Sequence, residues 1–154
     1  MSDQQPVFSI EKIYVKDASL EAPHAPQIFL EPAQPQVEVH LATAATRAAD
    51  GLYEAVLTVT VTAKAGDKTC FLVEAAQAGI FQIRNVPETD LEPILGVACA
   101  NILFPYARET IADLIARAGF PPIHLAPVNF EAMYAARQEA QGAAASGPRI
   151  EIAH

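Results

Sequence analysis

Two apolar periodicities divide this chain. Up to about residue 77 the hydrophobic positions recur every second residue, and from about residue 90 they recur at helical spacing. Phe8 and Ile10 alternate with Ser9 and Glu11, but Ile13 and Val15 are out of phase by one, which predicts a first strand with a bulge near Glu11 and Lys12. Val37, Val39 and Leu41 alternate with Gln36, Glu38 and His40, giving a second strand that fades into the Ala/Thr run from Ala42 to Ala49. Asp50-Gly51 reads as a hairpin turn into a third strand, with Tyr53, Ala55, Leu57, Val59 and Val61 on one face and Glu54, Thr58, Thr60 and Thr62 on the other. Gly66-Asp67 turns the chain into a fourth strand from Cys70 to Gln77. Leu72 and Glu74 share one face of that strand; Phe71, Val73, Ala75 and Gln77 share the opposite one. It is less amphipathic than its neighbours, which predicts cover from another subunit over part of its outward face.

Between the first two strands, EAPHAPQIFLEPAQP holds Pro23, Pro26, Pro32 and Pro35, each with a fixed φ and no N–H, so it reads as a crossover outside helix and central sheet. Its apolar triplet Ile28, Phe29 and Leu30 is expected to lie on the body of the fold, because apolar surface costs about 25 cal/mol per Å² to leave wet. A groove along that edge follows.

A long helix is predicted to start near Asp90, with Asp90, or Thr89 paired with Glu92, as its cap. Pro105 lies inside it and crowds the carbonyl of Asn101, so a bend is expected there. Leu91, Ile94, Leu95, Ala98 and Ile102 project to one side, and Leu103, Phe104, Ala107, Ile111, Leu114 and Ile115 to another. One small sheet does not cover both stripes, which points to an assembly. Gly119 ends the helix, and Asn129 caps a second helix bearing Phe130, Met133 and Tyr134 at i, i+3 and i+4. Residues 1–141 read as a single domain, and 142–154 as a disordered tail with little to bury.

The formal charge of -8 and pI near 4.9 disfavour nucleic acid and anionic membranes as partners. No run approaches the ~18 apolar residues of a membrane span, and the N-terminus lacks a secretory leader pattern, so a cytosolic location is expected. Cys70 and Cys99 form no ligand pattern and read as buried packing thiols. Neither a GxGxxG nor a P-loop pattern occurs, Ser9 and Ser19 lack a nucleophile elbow, and His24, His40, His124 and His154 are scattered without ligand spacing. Glu109 and Asp113 are four apart, but Asp113 also precedes Arg117 by four in a favourable ion-pair order. No enzyme chemistry, metal or cofactor is expected. A hot-dog-like thioester enzyme, the competing class, would have only Glu109 or His124 to offer.

Four motifs in order complete the reading: IYVKDASLEAPHAP, FLVE-x-x-Q-x-GIF, NILFPYARE and LAPVNF. With them the chain resembles SecB, the family of bacterial cytosolic protein-export chaperones, from about Phe8 to Tyr134. The resemblance implies an α+β protomer with a four-stranded antiparallel sheet, a proline-rich crossover and two helices, assembling as a dimer of dimers. It implies a nucleotide-independent holdase that binds unfolded secretory precursors and delivers them to the ATPase SecA through that motor's basic zinc-binding C-terminal segment. The competing role within the same fold is a chaperone dedicated to one labile client such as an antitoxin.

Carried over by position, Asp17 and Glu21 of KDxSxEAP, with Leu72 and Glu74, are assigned to SecA contact. Pro23, Ile28, Phe29, Phe130, Met133 and Tyr134 are assigned to the client groove. Val73, Ala75 and Gln77, with Leu103, Phe104 and Ala107, are assigned to the oligomer interface. Two positions depart from the family's common residues: Ala33 stands where many members have tryptophan, and Ala100 where proline is common.

Overall fold

The computed structural model describes residues 4–32 and 34–144. Four long strands, β1 (Val7–Glu21), β2 (Gln36–Ala49), β3 (Leu52–Ala65) and β4 (Lys68–Arg84), form one antiparallel sheet in the order β1-β4-β3-β2. The two turns form where expected: Asp50-Gly51 joins β2 to β3 and Gly66-Asp67 joins β3 to β4, with Gly51 at φ +70° and Gly66 at φ +65°. The second strand does not fade after Leu41. Its Ala/Thr run stays paired with β3 to Ala49, because the partner strand supplies a full ladder irrespective of weak local propensity.

The alternation of β3 is realised as read: Ala55, Leu57, Val59, Val61 and Ala63 are buried beneath the helical layer. Each large side chain among them contributes roughly 1.5–3 kcal/mol of burial. The helical layer starts earlier than expected, at α1 (Glu88–Pro93), with Pro87 in the cap position. Neither Asp90 nor Thr89 caps it; the Asp90 N–H donates to the Pro87 carbonyl at 2.9 Å. Pro93 lacks the N–H that would reach Thr89, and the next residues, Ile94–Ala98, form a π-helical segment in which Cys99 N–H donates to the Ile94 carbonyl.

The departure from α geometry thus follows Pro93. Helix α2 (Cys99–Arg117) runs on through Pro105, which lies on its exposed side. Gly119, at φ +91°, ends α2 in a Schellman arrangement: Phe120 N–H donates to the Ile115 carbonyl at 3.2 Å and Gly119 N–H to Ala116 at 3.0 Å. The chain returns without regular structure to α3 (Phe130–Ala144), where the Asn129 carboxamide accepts the Ala132 N–H at 2.9 Å, the expected cap. This helix extends three residues past the expected domain boundary at Gln141, and the rest of the proposed tail, residues 145–154, lies outside the described residues, as does Ala33.

Helix α2 lies across β3 and β4 and barely touches β1. Leu103, Phe104, Ala107, Ile111 and Ile115 are buried against the sheet, whereas the other stripe, from Leu91 to Ile102, is only partly covered. Because β1 and β2 are opposite edges, the proline-rich crossover must pass about 14 Å across two central strands. It does so beneath the end of α2, where a single 3₁₀ turn, Gln27–Phe29, buries Ile28. Only part of the expected burial of the triplet occurs: Phe29 remains 47% exposed and Leu30 80% exposed, since a one-turn segment points one side chain inward.

Candidate functional site

The first candidate surface is the sheet face away from α2. Strand β1 changes phase twice, at Glu11 between Ile10 and Lys12, and again at Lys16 between Val15 and Asp17. The first bulge is the one legible in the sequence. Each bulge returns the apolar side chains to the helix side: Phe8 and Ile10, then Ile13 and Val15, then Ala18 and Leu20. The second bulge also swings Asp17, Ser19 and Glu21 outward. Asp17 pairs with Ala76, Ser19 with Glu74 and Glu21 with Leu72, so Asp17, Glu21, Leu72 and Glu74 all share one face. Directly paired side chains lie about 5 Å apart and diagonal ones 7–8 Å, so Glu74 has both β1 acids as diagonal neighbours. Its carboxylate accepts a 2.8 Å hydrogen bond from Thr60 Oγ1 on β3. All four residues assigned to SecA contact are brought together.

Beside this patch a polar cluster grips the second bulge from outside. Lys16 Nζ donates to Glu54 Oε1 at 2.7 Å, and the Tyr14 hydroxyl donates to Glu54 Oε2. The hydrogen bond from Lys16, then that from Tyr14, holds the Glu54 carboxyl below its ordinary pKa, while burial, reinforced by Glu54, pushes the Tyr14 phenol up to about 12. Sequence reading missed this cluster; the phase change between Val15 and Leu20 was the available signal.

The residues assigned to the client groove fall into two groups on the helix side. At the C-terminal end of α2, Phe29 packs on Phe120 with ring centroids 5.0 Å apart, and Phe120 packs on Phe71 at 4.9 Å. Pro23 and Ile28 line an adjacent cavity of about 250 Å³, rimmed by a Lys68–Glu31 ion pair at 3.6 Å. That is smaller than the roughly 300 Å³ at which small-molecule sites begin and suits a single side chain.

Near the other end of α2, Phe130 is buried edge-on against Phe104 at 5.8 Å. Tyr134 rests over Gly96, where a β-carbon would come within 3.0 Å of its ring. Arg137 stacks over Tyr134 and donates to Thr43 Oγ1 at 2.9 Å, while Met133 is 37% exposed. Thirteen helical steps, Phe104 to Arg117, separate the two groups by about 20 Å. That distance matches about six residues of extended peptide.

The residues assigned to assembly are all buried within the protomer. Val73, Ala75 and Gln77 lie beneath α2, and Leu103, Phe104 and Ala107 are their counterparts on the helix, so these side chains pack inside the protomer and not on its surface. Cys99 is fully buried with its thiol pushed up to about 12 by burial, and Cys70 is buried too, as expected of packing thiols. Among the described residues no group of His, Cys, Asp and Glu could hold a metal ion, and no helix is long and apolar enough to cross a membrane.

Comparison with known proteins gives consistent results. The family model "Preprotein translocase subunit SecB" matches residues 1–141. The protein-export protein SecB of Chromobacterium violaceum is 65% identical over 148 residues, covering 94% of this chain and 98% of that protein. That of Dechloromonas aromatica is 63% identical over 147 residues, covering 95% and 97%. Among solved structures, a SecB-like chaperone of Mycobacterium tuberculosis in complex with a peptide from an antitoxin superposes with a TM-score of 0.67 over 79% of this chain and 90% of that one. At 16% identity this is a likeness of fold.

Proposed function

The chain belongs to the SecB family, and from that premise we propose that it is a protein-export holdase that keeps secretory precursors unfolded and passes them to SecA. The observation that carries this reading is the separation of two surfaces by one sheet. The acidic patch of Asp17, Glu21 and Glu74 around Leu72 faces away from the helices, and the aromatic clusters at Phe29 and Phe130 lie on the helix side. A hand-over requires that motor and client be held at once, and surfaces on opposite sides of a sheet permit it.

The chemistry of each surface fits its role. Half-exposed aromatic and apolar side chains, together with the exposed strand edges, offer burial and main-chain hydrogen bonds to an extended peptide without reading a defined sequence. Binding the unfolded chain alone withdraws it from folding by mass action, so slow folders are held longest. The carboxylates offer complementary charge to a basic segment of SecA, which speeds encounter and makes binding salt-sensitive. Zinc, where it enters, belongs to the partner.

Assembly as a homotetramer is part of the proposal. The apolar residues Phe8, Ile10, Val15 and Leu20 on the inner side of β1 are 36% to 47% exposed, and α2 makes little contact with that strand. Such a row on a long edge strand calls for cover. A dedicated antitoxin chaperone is the competing reading, suggested by the peptide bound to the fold neighbour. Retention of the whole acidic set favours coupling to SecA.

The test is the refolding of a slow-folding, denatured secretory precursor with and without stoichiometric protein, in the absence of nucleotide. Arrest that is relieved by a competing unfolded chain supports a general holdase. Unchanged refolding overturns it in favour of a dedicated client.

A further inference from the structure

The orientation of the acidic patch depends on the bulge at Lys16, and a buried polar contact lies beside that bulge on the helix side. Among the described residues Gln77 is the buried polar side chain of the core, 3% exposed, and it pairs directly with Val15. Its Nε2 donates to the Tyr14 carbonyl at 3.2 Å. With the amide turned that way, Oε1 faces α2, where Thr110 Oγ1 stands at 3.1 Å. The Thr110 hydroxyl also lies 3.0 Å from the Tyr106 carbonyl. It has one proton to give, and the Tyr106 carbonyl already faces the helical N–H four residues on, so donation to Gln77 satisfies an oxygen that would otherwise be buried unpaired.

We infer that Thr110 is a positioning residue for SecA binding: through Gln77 it pins the Tyr14 carbonyl and so fixes the Lys16 bulge that turns Asp17, Ser19 and Glu21 outward. This rests on the reading of the acidic patch as the SecA surface. The need for a pin follows from the geometry. Within the protomer strand β1 is an edge strand, α2 hardly touches it, and of the apolar side chains favouring the present phase beyond the bulge, Ala18 is exposed and Leu20 is 36% exposed. Hydrophobic burial within the protomer therefore specifies the register weakly, and a slip of one residue would send all three polar side chains to the helix side. The bulge is held from both sides of the sheet: Glu54 grips Lys16 and Tyr14 outside, and the Gln77–Thr110 pair holds the backbone inside.

The experiment compares Thr110→Val, nearly isosteric but without the donor, with Thr110→Ser, which retains it, using the full chain in its native assembly. Two quantities are read: amide hydrogen exchange along β1, and affinity for SecA. Thr110→Val is expected to raise exchange at residues 16–21 about tenfold, leave β3 unchanged, and weaken SecA binding about fivefold to tenfold. Thr110→Ser should restore both, which loss of packing alone would not predict.

Unchanged exchange at residues 16–21 in Thr110→Val overturns the inference, whatever happens to binding, and so does raised exchange that appears only with a loss of assembly mass. Raised exchange with unchanged SecA binding overturns it as well, provided that Glu74→Lys, measured alongside, does weaken SecA. If Glu74→Lys leaves SecA binding intact, the acidic patch is not the SecA surface; that earlier reading then fails, and the positioning role fails with it.

Discussion

Replacing Glu74 by lysine is expected to weaken SecA binding about 30-fold while leaving arrest of client folding intact. Glu74 lies at the centre of the outward patch, opposite Ser19 and diagonal to Asp17 and Glu21. Three carboxylates, a local charge of -3, become two carboxylates and one ammonium, a charge of -1. A basic partner group about 4 Å from Glu74 gains ~1 kcal/mol in a water-like medium and more where the contact is partly dry. Reversal removes that attraction and adds a repulsion of similar size, ~2 kcal/mol together, or about 30-fold in Kd. The new ammonium would also engage the two β1 carboxylates and withdraw them from the partner. Titration calorimetry with SecA at low salt and at about 0.15 M should show the wild-type advantage shrinking as screening sets in. The refolding assay on the same variant supplies the control. The helix-side clusters lie across the sheet from residue 74, so equal loss of client arrest and SecA binding would refute the assignment of separate surfaces.

Acid and alkaline unfolding should report the Glu54 cluster. Its carboxyl pKa is lowered in the folded state, so the stabilisation is complete above the ordinary value of 4.5 and is lost as the pH falls through the lower folded value. Tyr14 behaves inversely: its pKa is raised from 10.0 to about 12, so its contribution is complete below pH 10 and disappears between about pH 10 and 12. Glu54→Gln should therefore flatten the acid limb of a stability profile measured by urea unfolding, and Tyr14→Phe the alkaline limb; unaltered limbs would show that the cluster contributes nothing. Gly119→Ala should cost ~1–2 kcal/mol in urea unfolding, since φ +91° strains any β-carbon and that atom would sit 3.2 Å from the Phe29 ring. Phe29→Ser should weaken client arrest about fivefold, from ~1 kcal/mol of lost apolar contact, with SecA affinity unchanged. A parallel loss of SecA affinity would mean that the crossover serves both surfaces.

Local chemistry made several elements legible in the sequence. Asp50-Gly51 and Gly66-Asp67 placed the turns, the alternation of β3 named its buried face, Asn129 and Gly119 marked helix ends, and the phase change after Ile10 located a bulge. These features depend on residues within a turn or two of one another. Motif order supplied the family, and with it the proposed assignment of partner residues. The tertiary structure decided what depends on distant chain segments: β1 and β2 as opposite edges, the persistence of β2 to Ala49, the π-helical segment after Pro93, the exposure of Leu30, and the division of the groove residues into two clusters.

The acidic patch lies between these categories. Its residue types stand in the sequence, but their common face results from a second bulge flanked by contacts from Glu54, 38 residues beyond Lys16, and from Gln77, 63 beyond Tyr14. Side-chain phase along an edge strand is set by what lies above, below and beside it, and a one-dimensional pattern holds only the strand's own share of that information.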